Sequence, residues 1–236
     1  MHDLVAMRLL IFFLLILGAD GAFSQNEPDS AKVDTVRNKY LPTGVRIGTD
    51  IISLVRTRTQ NNFHGWEVNG EIDFSRYSLA IDYGTWGKDL NSDSAAYANT
   101  GDYWRAGIDI DFLNNDPDRN VFFLGVRYGR SVFTESMNVM RFDPTWGLLS
   151  DNFYHSNVNA WWLELTTGLR VKIWKIFWVG YTGRFKFALT TDASEEMLPH
   201  DIPGFGRTNK ETTWGFNYYL MVRIPLRKAP APPPEK

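Results

Sequence analysis

From Trp66 to Phe74 the chain reads Trp-Glu-Val-Asn-Gly-Glu-Ile-Asp-Phe, apolar or glycine at one position and acidic or amide at the next. The same beat returns over 104–112, 161–173 and 214–224. Successive side chains on a strand point to opposite faces, so each segment has one apolar face and one charged or small face. Eight segments carry the pattern, at 43–56, 64–75, 77–87, 102–113, 120–132, 158–173, 177–189 and 212–226. Most are long enough for a tilted strand that crosses a bilayer.

The links between these segments alternate in length. Ser75-Arg76, 114–120 and 174–176 are short; 57–63, 88–101, 133–157 and 190–211 are longer and polar. An even number of strands, with short turns at one end and long loops at the other, predicts an all-β fold. The architecture expected is an eight-stranded antiparallel up-and-down transmembrane β-barrel, apolar face to lipid and polar face inward. A water-soluble sandwich would do the reverse, burying the apolar rungs and leaving Arg105, Glu164 and Arg223 in solvent. Aromatic positions favour the barrel. Trp86, Trp104, Tyr128, Trp161 and Trp214 fall at strand ends beside the long loops, and Phe74, Tyr77, Phe112, Phe122 and Phe177 near the short turns. Two such girdles mark the two faces of a membrane.

The ends add a route. Arg8, the apolar run Leu9–Leu17 and the small residues up to Ser24 form a secretory signal peptide, expected over 1–24; the run is too short for a membrane-spanning helix. Residues 25–40 read as a flexible periplasmic lead-in, 41–228 as the outer-membrane barrel and 229–236 as a Pro-rich periplasmic tail. The termini are then periplasmic and the long loops extracellular. The chain has no cysteine, which removes a lipid-modified cysteine, a disulfide framework and thiolate metal sites. A formal charge of −2 offers no basic field for nucleic acid.

The inward parity collects Asp50, Glu67, Glu71, Asp73, Asp82, Asp109, Asp111 and Glu164 with Arg46, Arg105, Arg127, Arg170, Lys172, Arg184, Lys186 and Arg223. An eight-stranded barrel has an interior just wide enough for side chains to fill. Desolvated charges need partners, so these residues are expected to interlock as a plug, with inward glycines making room for long arginines. The alternative is a narrow channel for ions or small solutes along the Arg and Asp ladders. A third possibility is a lipid-modifying enzyme at the outer rim. Ser150, Asp151 and Ser156 flank His155, while His64 and His200 lie in or beside other outer loops. Loop histidines are more often simply solvated. His200-Asp201 lacks a spaced partner for a metal, and no phosphate loop, nucleotide fingerprint or HExxH motif occurs. No catalytic residue, metal or cofactor is therefore assigned.

The outer loops carry apolar residues suited to contact. Met140, Phe142, Trp146, Leu148 and Leu149 lie in the third, Leu198, Ile202 and Phe205 in the fourth. Apolar patches of this kind bind protein or lipid, or fold back over the barrel mouth as a lid. The expected partners are outer-membrane lipid and the proteins of an envelope complex.

Particular stretches carry a family resemblance. These are Tyr40–Asp50, Phe63–Glu67, Tyr83–Gly87, Asp116–Asn120 with Gly125–Ser131, Gly168–Trp174, Asp201–Gly206 and Trp214–Tyr218. Together they resemble an uncharacterised outer-membrane β-barrel family of Bacteroidota, a domain of unknown function, over about residues 40 to 228. The resemblance implies a single outer-membrane barrel domain and attaches no activity. The chain departs from common outer-membrane barrels where Arg227-Lys228 and the Pro-rich tail stand in place of a terminal aromatic.

Overall fold

The computed structural model describes residues 41–113, 116–193 and 198–227. The expected signal peptide, lead-in and Pro-rich tail lie outside these residues. Eight long strands close into a barrel: β1 (Gly44–Asp50), β2 (Phe63–Phe74), β3 (Tyr77–Asn91), β4 (Ala95–Asp111), β5 (Val121–Asp143), β6 (Gly147–Trp174), β7 (Phe177–Thr191) and β10 (Thr213–Pro225). Each pairs antiparallel with its sequence neighbour. The first and last strands seal the ring in register from Gly44↔Pro225 to Asp50↔Tyr219. Closure satisfies both edges of every barrel strand along the paired length, so no ladder is left open there.

Period two sets which side chains go where, and the polarity is inverted relative to a soluble core. Ile47 and Ile81 are 56% exposed, whereas Arg105 is 2% and Asp82 0% exposed. Apolar outward rungs continue round the ring through Ile72, Ile108, Leu163, Tyr181 and Leu220. Rings of aromatics bound this belt. At the upper end Trp66 packs on Tyr83 (5.8 Å), Trp104 on Tyr128 (5.6 Å) and Phe185 on Trp214 (4.9 Å). At the short-turn end Phe112 meets Phe122 (6.0 Å) and Trp174 stacks on Phe177 (6.1 Å). Trp104 to Phe112 spans ~21 Å of tilted strand, close to the height of a bilayer's apolar layer. Trp86 departs from the expected girdle. It shares parity with Asp82 and Gly84, points into the mouth, and packs edge-on against buried Phe63 at 5.7 Å.

The turns at the lower end are tight. Ser75 takes φ +56° between the paired Phe74 and Tyr77, and Lys175 φ +43° between Trp174 and Phe177. The upper end differs from the expected long loops in three ways. First, β1 stops at Asp50 instead of running to 56, and helix α1 (Ile51–Thr59) follows. The Asp50 carboxylate accepts from the Ile52 and Ser53 amides, both at 3.2 Å, and caps the helix. The pairs Ile51-Ile52 and Leu54-Val55 had already broken the alternation in favour of helical spacing. Second, 88–101 and 133–157 are strand for most of their length. β3 and β4 continue to a turn at 92–94, and β5 and β6 to a turn at 144–146. Both faces of these extensions carry polar residues, so the ladder persists where the alternation fades. Third, the 190–211 link enters the mouth as a small hairpin, β8 (Asp201–Ile202) with β9 (Gly206–Arg207).

The upper hairpin of β5 and β6 pairs within itself to its tip. Replacing 141–149 by an Asn-Gly turn is expected to leave the barrel intact, read as an unchanged mobility difference between heated and unheated samples in SDS gels. Loss of that difference would show that the tip is needed for closure.

Candidate functional site

The lumen is the most highly organised part of the molecule, and its side chains interlock in tiers. At the short-turn end Arg46 of β1 lies 2.6 Å from Asp73 and 3.3 Å from Glu71, both of β2. Arg223 of β10 reaches Asp73 at 3.2 Å. The Trp178 ring lies 5.0 Å from the Arg46 guanidinium and 6.0 Å from that of Arg223.

In the middle tier Arg170 crosses from β6 to β2. Its Nε and Nη2 donate to Glu71 Oε1 at 3.0 and 2.7 Å, and Nη1 donates to Thr182 Oγ1 at 3.0 Å. Arg127 grips Asp109 with two parallel bonds of 2.7 Å, the fork geometry that makes arginine–carboxylate pairs strong. A Cβ added at Gly180 would lie 2.9 Å from Arg170 Cδ, so that glycine gives the arginine its space.

The upper tier centres on Arg184 and Arg105. Arg184 donates to Asp82 and Glu164, each at 2.9 Å, to Asn217 at 2.7 Å and to the Tyr219 hydroxyl at 2.8 Å. Arg105 Nη2 is 2.5 Å from Glu67, with Nε 3.3 Å from Asp82. Glu67 also accepts from the hydroxyls of Tyr103 (2.6 Å) and Tyr219. Asn69 donates to Asp82 at 2.6 Å, and the Trp162 indole donates to Glu164 at 2.7 Å.

The fourth outer loop seals the mouth above this tier. Lys186 donates to the backbone carbonyls of Gly204 (2.7 Å) and Phe205 (2.9 Å). Ile202 and Phe205 are buried in a small apolar cluster with Tyr103, Phe133, Val158, Ala160 and Trp162. Gly204 sits at φ +78° against the Tyr103 ring, a place where a side chain would meet both strain and collision. Lys88 pairs with Asp201 at 2.7 Å, and the Tyr97 hydroxyl oxygen lies 3.4 Å from the Asp201 carbonyl.

Most of the charged residues assigned to the interior are therefore buried in the lumen. Two lie apart. Lys172 is exposed and pairs with exposed Asp118 at 3.3 Å, because β6 has run past the packed lumen by that point. Asp111 is half-buried and accepts from the Leu113 amide at 2.8 Å, tying the strand end rather than the network. Among the loop residues assigned to partner contact, Ile202 and Phe205 are lid residues and buried; Leu149 is half-buried. Met140, Phe142, Trp146, Leu148 and Leu198 are exposed. The neutral members of the network (Asn69, Tyr103, Trp162, Thr182, Asn217 and Tyr219) were missed by a search for charge. They stand at the same inward parity, and that was their signal.

Glu135 forms a second cluster at the mouth. It accepts from the Tyr97 hydroxyl at 3.0 Å, and His155 Nδ1 lies 3.6 Å from its other oxygen. Burial holds the Glu135 carboxyl above its ordinary range, against the opposing pull of the Tyr97 hydrogen bond. Burial likewise pushes the Tyr97 phenol upward, with the Glu135 charge adding to it. Ser150 hydrogen-bonds with Asn138 and lies five residues up the strand from His155, about 17 Å away. The His200 ring packs on Tyr97 at 5.6 Å, and His64 stands outside, paired in register with Gly87. No helix among the described residues is long and apolar enough to cross a membrane, which says nothing of strands.

A hydrogen-bonded ring with ionic groups inside and an apolar belt outside defines the inverted class of eight-stranded β-barrel. The chain belongs to the family described as Domain of unknown function (DUF6048), which matches residues 6–229. No curated protein matches it. Among solved structures the chain is similar to Neisserial surface protein A, at 10% identity over 78% of this chain and 96% of that one. The TM-score is 0.33, too slight a likeness to carry an argument.

Removing one partner of the upper tier leaves buried carboxylates with fewer counter-charges. Arg184→Met is expected to cost about 3–5 kcal/mol of unfolding free energy in a urea titration; a change below ~1 kcal/mol would remove the network from any structural role. The mouth gives a pH test. A raised carboxyl in the folded state favours the neutral form, so its ionisation weakens the fold as pH climbs through that value. Glu135→Gln is expected to match the parent near about pH 4 and to unfold at higher urea near about pH 8. An equal midpoint at the higher pH would refute this.

Proposed function

We propose that this protein is an outer-membrane barrel that serves as a non-enzymatic structural or accessory subunit of an envelope complex for protein insertion, secretion or uptake. Its belt supports the membrane placement. Exposed large apolar side chains encircle the ring, far more than a water-soluble surface carries as a contiguous patch. Lipid removes that cost.

The observation that carries the accessory role is the apolar tip of the upper hairpin. Phe142, Trp146 and Leu148 are 75%, 78% and 70% exposed, held at the end of the β5–β6 hairpin, whose ladder shifts register once, between Phe133 and Glu135. An aromatic cluster presented on a rigid arm is the composition of a protein-binding hot spot. Met140 and Leu198 add exposed apolar surface, Met140 on the same hairpin and Leu198 beside the lid. On this reading the termini are periplasmic and the arm extracellular.

The channel reading finds less support. A lumen crossed by Arg170 and Arg184 and covered by the fourth loop offers its charges to one another rather than to a passing ion. The enzyme reading would need a serine against His155, and Ser150 lies about 17 Å from it along the strand.

Purification in mild detergent tests the proposal. The parent is expected to bring down a stoichiometric envelope partner, and the double variant Phe142→Asp, Trp146→Asp to lose it while still migrating as a folded barrel. A parent that always runs alone would sink the accessory role. Discrete ion-selective openings of the purified barrel in planar bilayers would replace it with the channel.

A further inference from the structure

The extended sheet above the belt has two faces, and only one is covered. Its inner face carries Asn99, whose amide donates to the Asp201 carbonyl of the lid, and Tyr97, whose hydroxyl lies beside the same carbonyl. Its outer face holds a cavity of about 510 Å³ lined from β3, β4, β5 and β6, well within the size range of small-ligand sites.

Register builds most of this cavity from two neighbouring rungs, with Tyr97, Met137 and Phe153 of the row between them completing the lining. One runs Asp89–Ala98–Ser136–Tyr154 across the four strands, and the next runs Asn91–Ala96–Asn138–Asn152. Every pair in both rows is a direct cross-strand partner. Strand spacing makes each row about 14 Å long, and the two rows lie about 7 Å apart. The floor is low because alanine occupies both β4 positions and serine follows on β5. The walls rise at the two ends: Asp89 and Asn91 on one side, Asn152 and Tyr154 on the other. Tyr154 is 69% exposed. Asn138 donates its amide to Asn152 and to Ser150, which fixes the orientation of those groups.

We propose that this groove binds a neutral oligosaccharide. Three asparagine amides and one carboxylate provide paired donors and acceptors, the groups that match adjacent sugar hydroxyls. The Tyr154 ring gives an apolar platform for the C–H face of a pyranose while keeping its own hydroxyl wet. The lining argues against other ligands. It holds no arginine or lysine for a phosphate or nucleic acid, and a single carboxylate is too little for a hard cation. An added peptide strand would find no open ladder here, since β4 and β5 are paired on both sides over these rows. A protein hot spot would want several apolar anchors, and the apolar tip above already has that character.

The protein purified in a detergent without a sugar headgroup is titrated with maltohexaose, cellohexaose, laminarihexaose and mannohexaose by saturation-transfer NMR and calorimetry. At least one is expected to bind, with Tyr154→Ala and Asn91→Leu each weakening it about tenfold or more. Trp146→Ala at the tip is expected to leave the affinity unchanged, and heated and unheated gel mobility confirms that each variant is folded. The same titration with delipidated surface polysaccharide separates a cell-borne glycan from a soluble one; binding of either sustains the site. Failure of every glycan to bind, or binding that survives Tyr154→Ala together with Asn91→Leu, overturns it. So does a dimer in solution that Tyr154→Ala dissociates, since the face would then belong to a second copy.

Discussion

Everything in this molecule answers to one constraint: charges withdrawn from water inside a ring too narrow to hydrate them must neutralise one another. Arg170, Arg184 and Arg105 meet it by reaching across the lumen rather than along their own strands. Each carboxylate of the upper tier serves more than one donor. Such networks stabilise only when complete, because a charge left behind by a missing partner is heavily penalised. The rest of the architecture follows from that pairing. Glycines sit where arginine stems pass, neutral hydroxyls and amides add donors to the carboxylates, and the fourth loop brings two carbonyls down to Lys186.

Because the interior is occupied with its own chemistry, the surfaces left for contact lie at the upper end. There the sheet continues without lipid or lumen to dictate its pattern, and its faces diverge. The inner face supports the lid, the outer face carries amides and a tyrosine, and the tip carries aromatics. A rigid scaffold with variable extensions is the usual place for recognition. Here the scaffold's rigidity comes from ionic packing instead of an oily core.

The barrel was legible in the sequence because both of its faces are strongly specified. A slip of one residue would put Asp82 in lipid and Ile81 among arginines, so the alternation had to be clean. The candidate lumen was legible for the same reason. The misses have physical causes. Trp86 was placed by residue type when its own parity with Asp82 turned it inward. Helix α1 was signalled by Asp50 and by apolar spacing, but a strand reading absorbed it. The hairpin extensions lost their signature once both faces met water. The burial of Ile202 and Phe205 depends on Lys186 and the Trp162 cluster, which lie outside the loop's own sequence. Lys172 shared the right parity and failed only because the lumen ends one rung earlier.

The separation of partners along the chain also shapes how the ring is built. Glu71 is bound by Arg170, 99 positions later, and Asp82 by Arg184, 102 positions later. A partly inserted set of early strands would therefore hold incompletely paired carboxylates, with part of their counter-charge still to come. Contacts this remote make slow folders. They also make incomplete rings unstable, so the chain gains most by delivering all eight strands before any is committed to the bilayer.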